Sequence, residues 1–145
     1  MESSLQTFLL HPAMVHFPIA FLLLGLAVFA VAIARDSAML DRGASVLLVL
    51  GAVAAWAAVG LGGLAERTAP HLPAAWETVE THRGLGYRTA IAFTVLALVR
   101  IAVLRRRLRL AQLVLWIVAA ALLVATAYQG GELVYHFGMG VERSE

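Results

Sequence analysis

The 145 residues contain no cysteine and no lysine. The missing thiols exclude disulfides, thiolate metal sites, thioether-linked haem and cysteine nucleophiles in one step. The missing lysine excludes a phosphate-cradling loop, so "GLGG" at 60 to 63 reads as packing inside an apolar run. Charge of either sign is scarce, at 14% of residues, where soluble domains carry roughly 25%. No acid pair lies within the apolar runs, which argues against a proton-coupled transporter. Asp36 and Asp41 fall on the side opposite the histidines, so no Ser-His-Asp triad is formed. A stand-alone enzyme is the least supported class.

What fills the chain is apolar: 61% of residues are hydrophobic, and mean hydropathy is +0.85. Four runs, at about 15–34, 44–65, 86–104 and 110–129, each approach the roughly 20 residues that cross a 30 Å hydrocarbon core. They leave no room for a second domain, so residues 1–145 read as one four-span unit. The first run has no Lys or Arg before it and exceeds a usual signal-peptide core, so it reads as a span. Inside lipid every backbone group needs an internal partner, and these runs lack the alternation of barrel strands. The expected fold is all-α: a membrane four-helix bundle, with a short extracytoplasmic helix at "PAAWETVETHR" between spans two and three.

All eleven basic residues are arginines. Arg35, Arg42, Arg100, Arg105, Arg106, Arg107 and Arg109 flank the connections after spans one and three. Only Arg67, Arg83, Arg88 and Arg143 lie on the other side. The positive-inside rule then places both termini and the 66–88 connection outside the cytoplasm of a bacterial inner membrane. Arginine in loops needs no nucleic-acid partner to explain it. Arg100 alone sits inside a span, one turn from its end, where its stem is expected to snorkel toward the headgroups. In span two, Gly51, Ala55, Ala58 and Gly62 share one helix face, either for close helix packing or to leave space for a flat cofactor.

The five histidines all fall at the extracytoplasmic end: His11 and His16 before span one, His71 and His82 between spans two and three, His136 after span four. Imidazole is the commonest metal ligand and a frequent axial ligand of haem. His11 and His16 are five apart, about 140° around a helix, so both cannot face one point of an unbroken helix. Pro18 biases Phe17 away from helical geometry, which favours His16 pointing into the bundle with His11 above it. His71 reads as solvated, and His82 can point inward. Glu77 and Glu80 are candidates to orient histidines. Tyr128, Glu132 and His136 form a polar stripe if the last helix persists through Gly130 and Gly131.

Three stretches, "HPAMVHFPIAFLLLGL" at 11–26, "THRGLGYRTA" at 81–90 and "GGELVYHFGMGV" at 130–141, together resemble the bacterial family called domain of unknown function 2231. The resemblance implies a small four-span membrane protein and supports His11, His16 and His82 as the positions to test. Related domains occur joined to Rieske iron–sulfur or cytochrome c-like modules, which implies a redox partner of that kind. Where relatives often read His-Gly after Val-Tyr-x, this chain has Phe137-Gly138, with His136 one residue earlier. That shift turns a helical position by about 100°.

Together these features favour an electron-transfer component. It would bind b-type haem, or a redox metal, through histidines: His16 and His82 as first choice, with His11 or His136 as substitutes. Two alternatives remain: a zinc- or copper-binding module using His11, His16 and His82, or a non-catalytic accessory subunit. The oligomeric state is open.

Overall fold

The computed structural model describes residues 10–68, 72–102 and 108–139, and all its long elements are helices. In chain order they are α1 (His16–Ala34), α2 (Ala38–Thr68), α3 (Trp76–Ala102) and α4 (Arg109–Tyr135). A helical turn at residues 10–14 leads into α1, so the first apolar helix runs from Leu10 to Ala34. His71, Arg105, Arg106, Arg107 and Arg143 lie outside the described residues.

The separate short helix expected between spans two and three is not present as such. Pro73 opens a 3-10 turn, Pro73–Ala75, which passes straight into α3. The stretch "WETVETHR" is therefore the beginning of the third spanning helix. Glycine in a helix interior costs about 1 kcal/mol, but helical hydrogen bonding continues through Gly84 and Gly86. Similarly, α4 continues through Gly130 and Gly131. It ends only where Gly138, at φ 65°, turns the chain and the Gly138 and Met139 amides donate to Val134 and Leu133 carbonyls.

Between α1 and α2 the link is three residues long. Asp36 takes the left-handed conformation (φ 47°), while its amide and that of Ser37 donate to the carbonyls of Ile33 and Ala32. This is the usual two-bond closure of a helix C-terminus. Ser37 then accepts the Leu40 amide on its Oγ and so caps α2. The result is an up-down-up-down bundle in which α1 lies along α2 and α3 along α4. The two hairpins join mainly through α2 and α3, with α1 and α4 meeting over a smaller area.

Leu22, Phe29, Leu48, Phe93 and Trp116 are wholly buried at the centre. Small residues bring the helices close enough for this. A Cβ on Gly51 would collide with Leu22, and one on Gly25 would stand 2.9 Å from the Trp116 ring. That approach lets Trp116 Nε1 donate to the Leu22 carbonyl at 3.1 Å. Outward, Val53, Leu98 and Val118 are more than half exposed. An apolar exterior on four helices long enough to cross a membrane is what lipid solvates and water does not.

Arg100 does not snorkel. Its side chain is 2% exposed and is enclosed by all the other helices. Nε donates to Ser45 Oγ at 2.8 Å, Nη1 to Gln112 Oε1 at 3.0 Å, and Nη2 to both the carbonyl and the Oδ1 of Asp41 at 3.0 Å. The guanidinium carbon stands 3.9 Å above the centre of the Phe29 ring. Asp41 also receives Arg109, at 3.4 Å, and Arg109 bonds Asp36 at 3.0 Å. The carboxylate therefore answers two guanidinium groups.

Removing one partner of a buried pair leaves the other charge uncompensated, at about 3–5 kcal/mol. Asp41→Ala is expected to cost that much in thermal or denaturant unfolding in detergent. Arg100→Met is expected to cost less, because Asp41 keeps Arg109 and methionine fills apolar volume. The reverse order would show that Asp41 is not the charge that makes Arg100 tolerable.

Candidate functional site

The opposite end of the bundle brings two of the five histidines together. His11, on the turn before α1, and His82, in the second turn of α3, place their ring centres 6.1 Å apart at an interplanar angle of 81°. Neither is exposed. His11 Nδ1 bonds the Ala58 carbonyl of α2 at 2.9 Å, and His82 Nδ1 bonds the Thr126 carbonyl of α4 at 3.0 Å. A carbonyl can only accept, so each ring donates from Nδ1, and in the neutral ring the lone pair is then on Nε2. No other hydrogen bond of either ring occurs among the described residues. Each ring is thus oriented so that its neutral form would offer Nε2 as a nitrogen donor, with the second nitrogen engaged as in typical metal-ligating histidines.

Glycine makes room for each ring. A Cβ on Gly62 would lie 3.0 Å from His11 Cε1, and a Cβ on Gly130 would lie 3.1 Å from His82 Cε1. The small-residue face of α2 is therefore filled by α1, with Leu22 against Gly51 and His11 against Gly62. It serves packing and leaves no slot between those two helices. Thr126 is also fixed by its hydroxyl, which donates to the Leu122 carbonyl at 2.9 Å and accepts Thr89 Oγ1 at 2.8 Å. Thr89 is two turns beyond His82 on the same helix, so α3 and α4 are pinned beside the histidine.

The other expected residues are placed differently. His16 begins α1 exposed, with Nδ1 3.3 Å from the Ala13 carbonyl of its own turn. His136 is exposed just past α4 and meets the Phe137 ring edge-on, with centres 4.8 Å apart. Tyr128, although on the same helix as Glu132, is 66% exposed, so the stripe toward His136 lies on the outside. Glu77 and Glu80 are exposed, and backbone carbonyls do the orienting assigned to them. Near the pair, Arg83 bridges to Glu66 at 2.8 Å and ties the end of α2 to α3.

Sequence reasoning missed the Arg100 cluster at the far end. A signal was present: Asp41 and Ser45, one turn apart, share a face of α2 and start it at the depth where α3 ends. It also missed Ala58 and Thr126, whose side chains give no hint that their carbonyls are used. Among the described residues, no group of three or more His, Cys, Asp or Glu gathers to hold a metal ion. Among the described residues, the two imidazoles are the donors brought together at this end.

Comparison with curated proteins and with solved structures returns no match to either. A family described as "Predicted membrane protein (DUF2231)" matches residues 8–143, a span that includes all four helices and both paired histidines. The chain therefore belongs to the DUF2231 family of membrane proteins.

Proposed function

We propose that the protein is a membrane electron-transfer component that holds a b-type haem between His11 and His82. The observation that carries this reading is the imidazole pair: two neutral Nε2 donors from different hairpins, their rings 6.1 Å apart. With metal–nitrogen bonds of about 2 Å, that separation would leave room for one ion held by both rings. The donor count points the same way. Structural zinc takes four protein ligands and catalytic zinc three, more than the pair supplies among the described residues, whereas a porphyrin brings four nitrogens of its own and would be held by the two imidazoles. When bound, the haem would supply one-electron chemistry, its potential set by axial ligand and burial. The chain's own residues do the rest. The Ala58 and Thr126 carbonyls hold each ring's tautomer and direction, and the apolar bundle limits water.

The arginine distribution supports an inner-membrane orientation with the histidine end outside the cytoplasm. An electron partner would then meet the protein there, and a Rieske or cytochrome c-like module suits that side.

Protein purified in mild detergent from haem-replete cells is expected to show a Soret band with sharp α and β bands on dithionite reduction. His11→Ala or His82→Ala should abolish the low-spin spectrum. A colourless wild-type preparation that also stays colourless with added haemin would end this reading. Because the chain has no cysteine, single cysteines report orientation without background. Glu77→Cys is expected to react with an impermeant maleimide in intact spheroplasts, and Met39→Cys only after lysis. The opposite pattern would invert the topology.

A further inference from the structure

The two hairpins are built on one plan. His82 lies 71 positions after His11, and the same offset carries the buried Pro18, Leu22, Gly25 and Phe29 of α1 onto Thr89, Phe93, Leu96 and Arg100, all buried in α3. An offset of 68 carries Ala44, Leu48, Gly51, Ala52 and Ala55 of α2 onto Gln112, Trp116, Ala119, Ala120 and Leu123. Those five are all the residues buried in α4. The residues seldom agree in type, though Val46, Leu47, Ala52 and Gly62 recur as Val114, Leu115, Ala120 and Gly130.

The histidine seats obey the same offset. His11 donates to Ala58, with Gly62 one turn further along α2; His82 donates to Thr126, with Gly130 one turn further along α4. Ala58 maps onto Thr126 and Gly62 onto Gly130. Moreover, equivalent residues touch each other: His11 meets His82, Phe29 meets Arg100, and Asp41 meets Arg109. A position that contacts its own counterpart lies beside the axis relating the halves. With α1 parallel to α3 and α2 parallel to α4, that axis runs along the bundle, as in membrane proteins made of parallel repeats.

We infer that the chain is a tandem pair of equivalent helical hairpins, and that His11 and His82 form one two-nitrogen site on the pseudo-two-fold axis between them. One ligand is bound per chain, and both hairpins contribute to it equally through the same seat of carbonyl and glycine. For the ligand's identity as haem the inference rests on the proposal above; the two-nitrogen site itself does not.

Silver(I), an ion that accepts two nitrogens in line, probes the site without haem. Full-length protein labelled with ¹⁵N-histidine is titrated with silver nitrate in chloride-free detergent buffer, and each ring is followed by NMR. Before silver is added, both rings are expected in the Nδ1–H tautomer. The two Nε2 signals should then move together and saturate at one equivalent. His11→Ala or His82→Ala should weaken silver binding at the remaining ring at least roughly tenfold, because the second donor no longer acts at high effective concentration. Gly62→Ala and Gly130→Ala, which keep both histidines, should disturb His11 and His82 respectively to a similar extent. Circular dichroism establishes that each variant is helical.

Different tautomers, separate saturation, binding at one ring that survives loss of the other, or no response at either ring would overturn the inference. If silver behaves as expected and haemin does not bind, the haem reading falls and the axial site stands. If haemin gives a low-spin spectrum that needs both histidines while the two rings differ in tautomer or saturate separately with silver, the equivalence of the two seats falls and the haem reading stands.

Discussion

One guanidinium, that of Arg100, is held by every other helix of the bundle. Ser45 and Asp41 reach it from α2, Gln112 from α4, and Phe29 of α1 faces it as a ring. A cation in a hydrocarbon setting costs several kcal/mol unless its donors are met. Here the side chain is satisfied only when all four helices stand in one register. Sliding α2 by a turn would withdraw both Asp41 and Ser45, and sliding α4 would withdraw Gln112. Apolar helix packing in lipid tolerates small displacements, because lipid tails solvate Leu and Val as well as a neighbouring helix does. Charge with directional donors does not. The arginine end therefore sets the axial positions that the histidine end, most of a helix away, depends on.

The histidine end shows how little chemistry is needed to aim a side chain once register is fixed. Neither His11 nor His82 is oriented by an acid. Each uses a helix carbonyl that already belongs to its partner helix and reaches it because the residue one turn on is glycine. Thr126, anchored by its own hydroxyl and by Thr89, keeps that carbonyl from shifting when α3 and α4 move against each other.

Span number, approximate limits and the gathering of histidines at one end could be read from the chain, because they depend on run length and on alternation of helix direction. What could not be read depended on side-by-side helix order. The five-residue separation of His11 and His16 says that they diverge, but not which one meets α3. Only the position of Ala58 and Gly62 across from α1 decides for His11. For Arg100, the distance to the end of its span suggested escape to the headgroups; Gln112 and Asp41 lie within reach only in the folded bundle. In the sequence the beginning of α3 reads as a separate short helix because its polar residues interrupt the apolar run, while in the bundle one continuous helix runs from Trp76 to Ala102.

The repeated hairpin also limits how alike its two halves can be. Phe29 faces Arg100, and Asp41 faces Arg109, across the axis that relates the halves. Were the halves identical, as in two copies of one ancestral hairpin, arginine would have faced arginine and aspartate would have faced aspartate in the same low-dielectric space. The charged network therefore depends on the two halves differing at these positions. The histidine pair carries no such restriction, since two neutral imidazoles can face each other across an axis of exact symmetry.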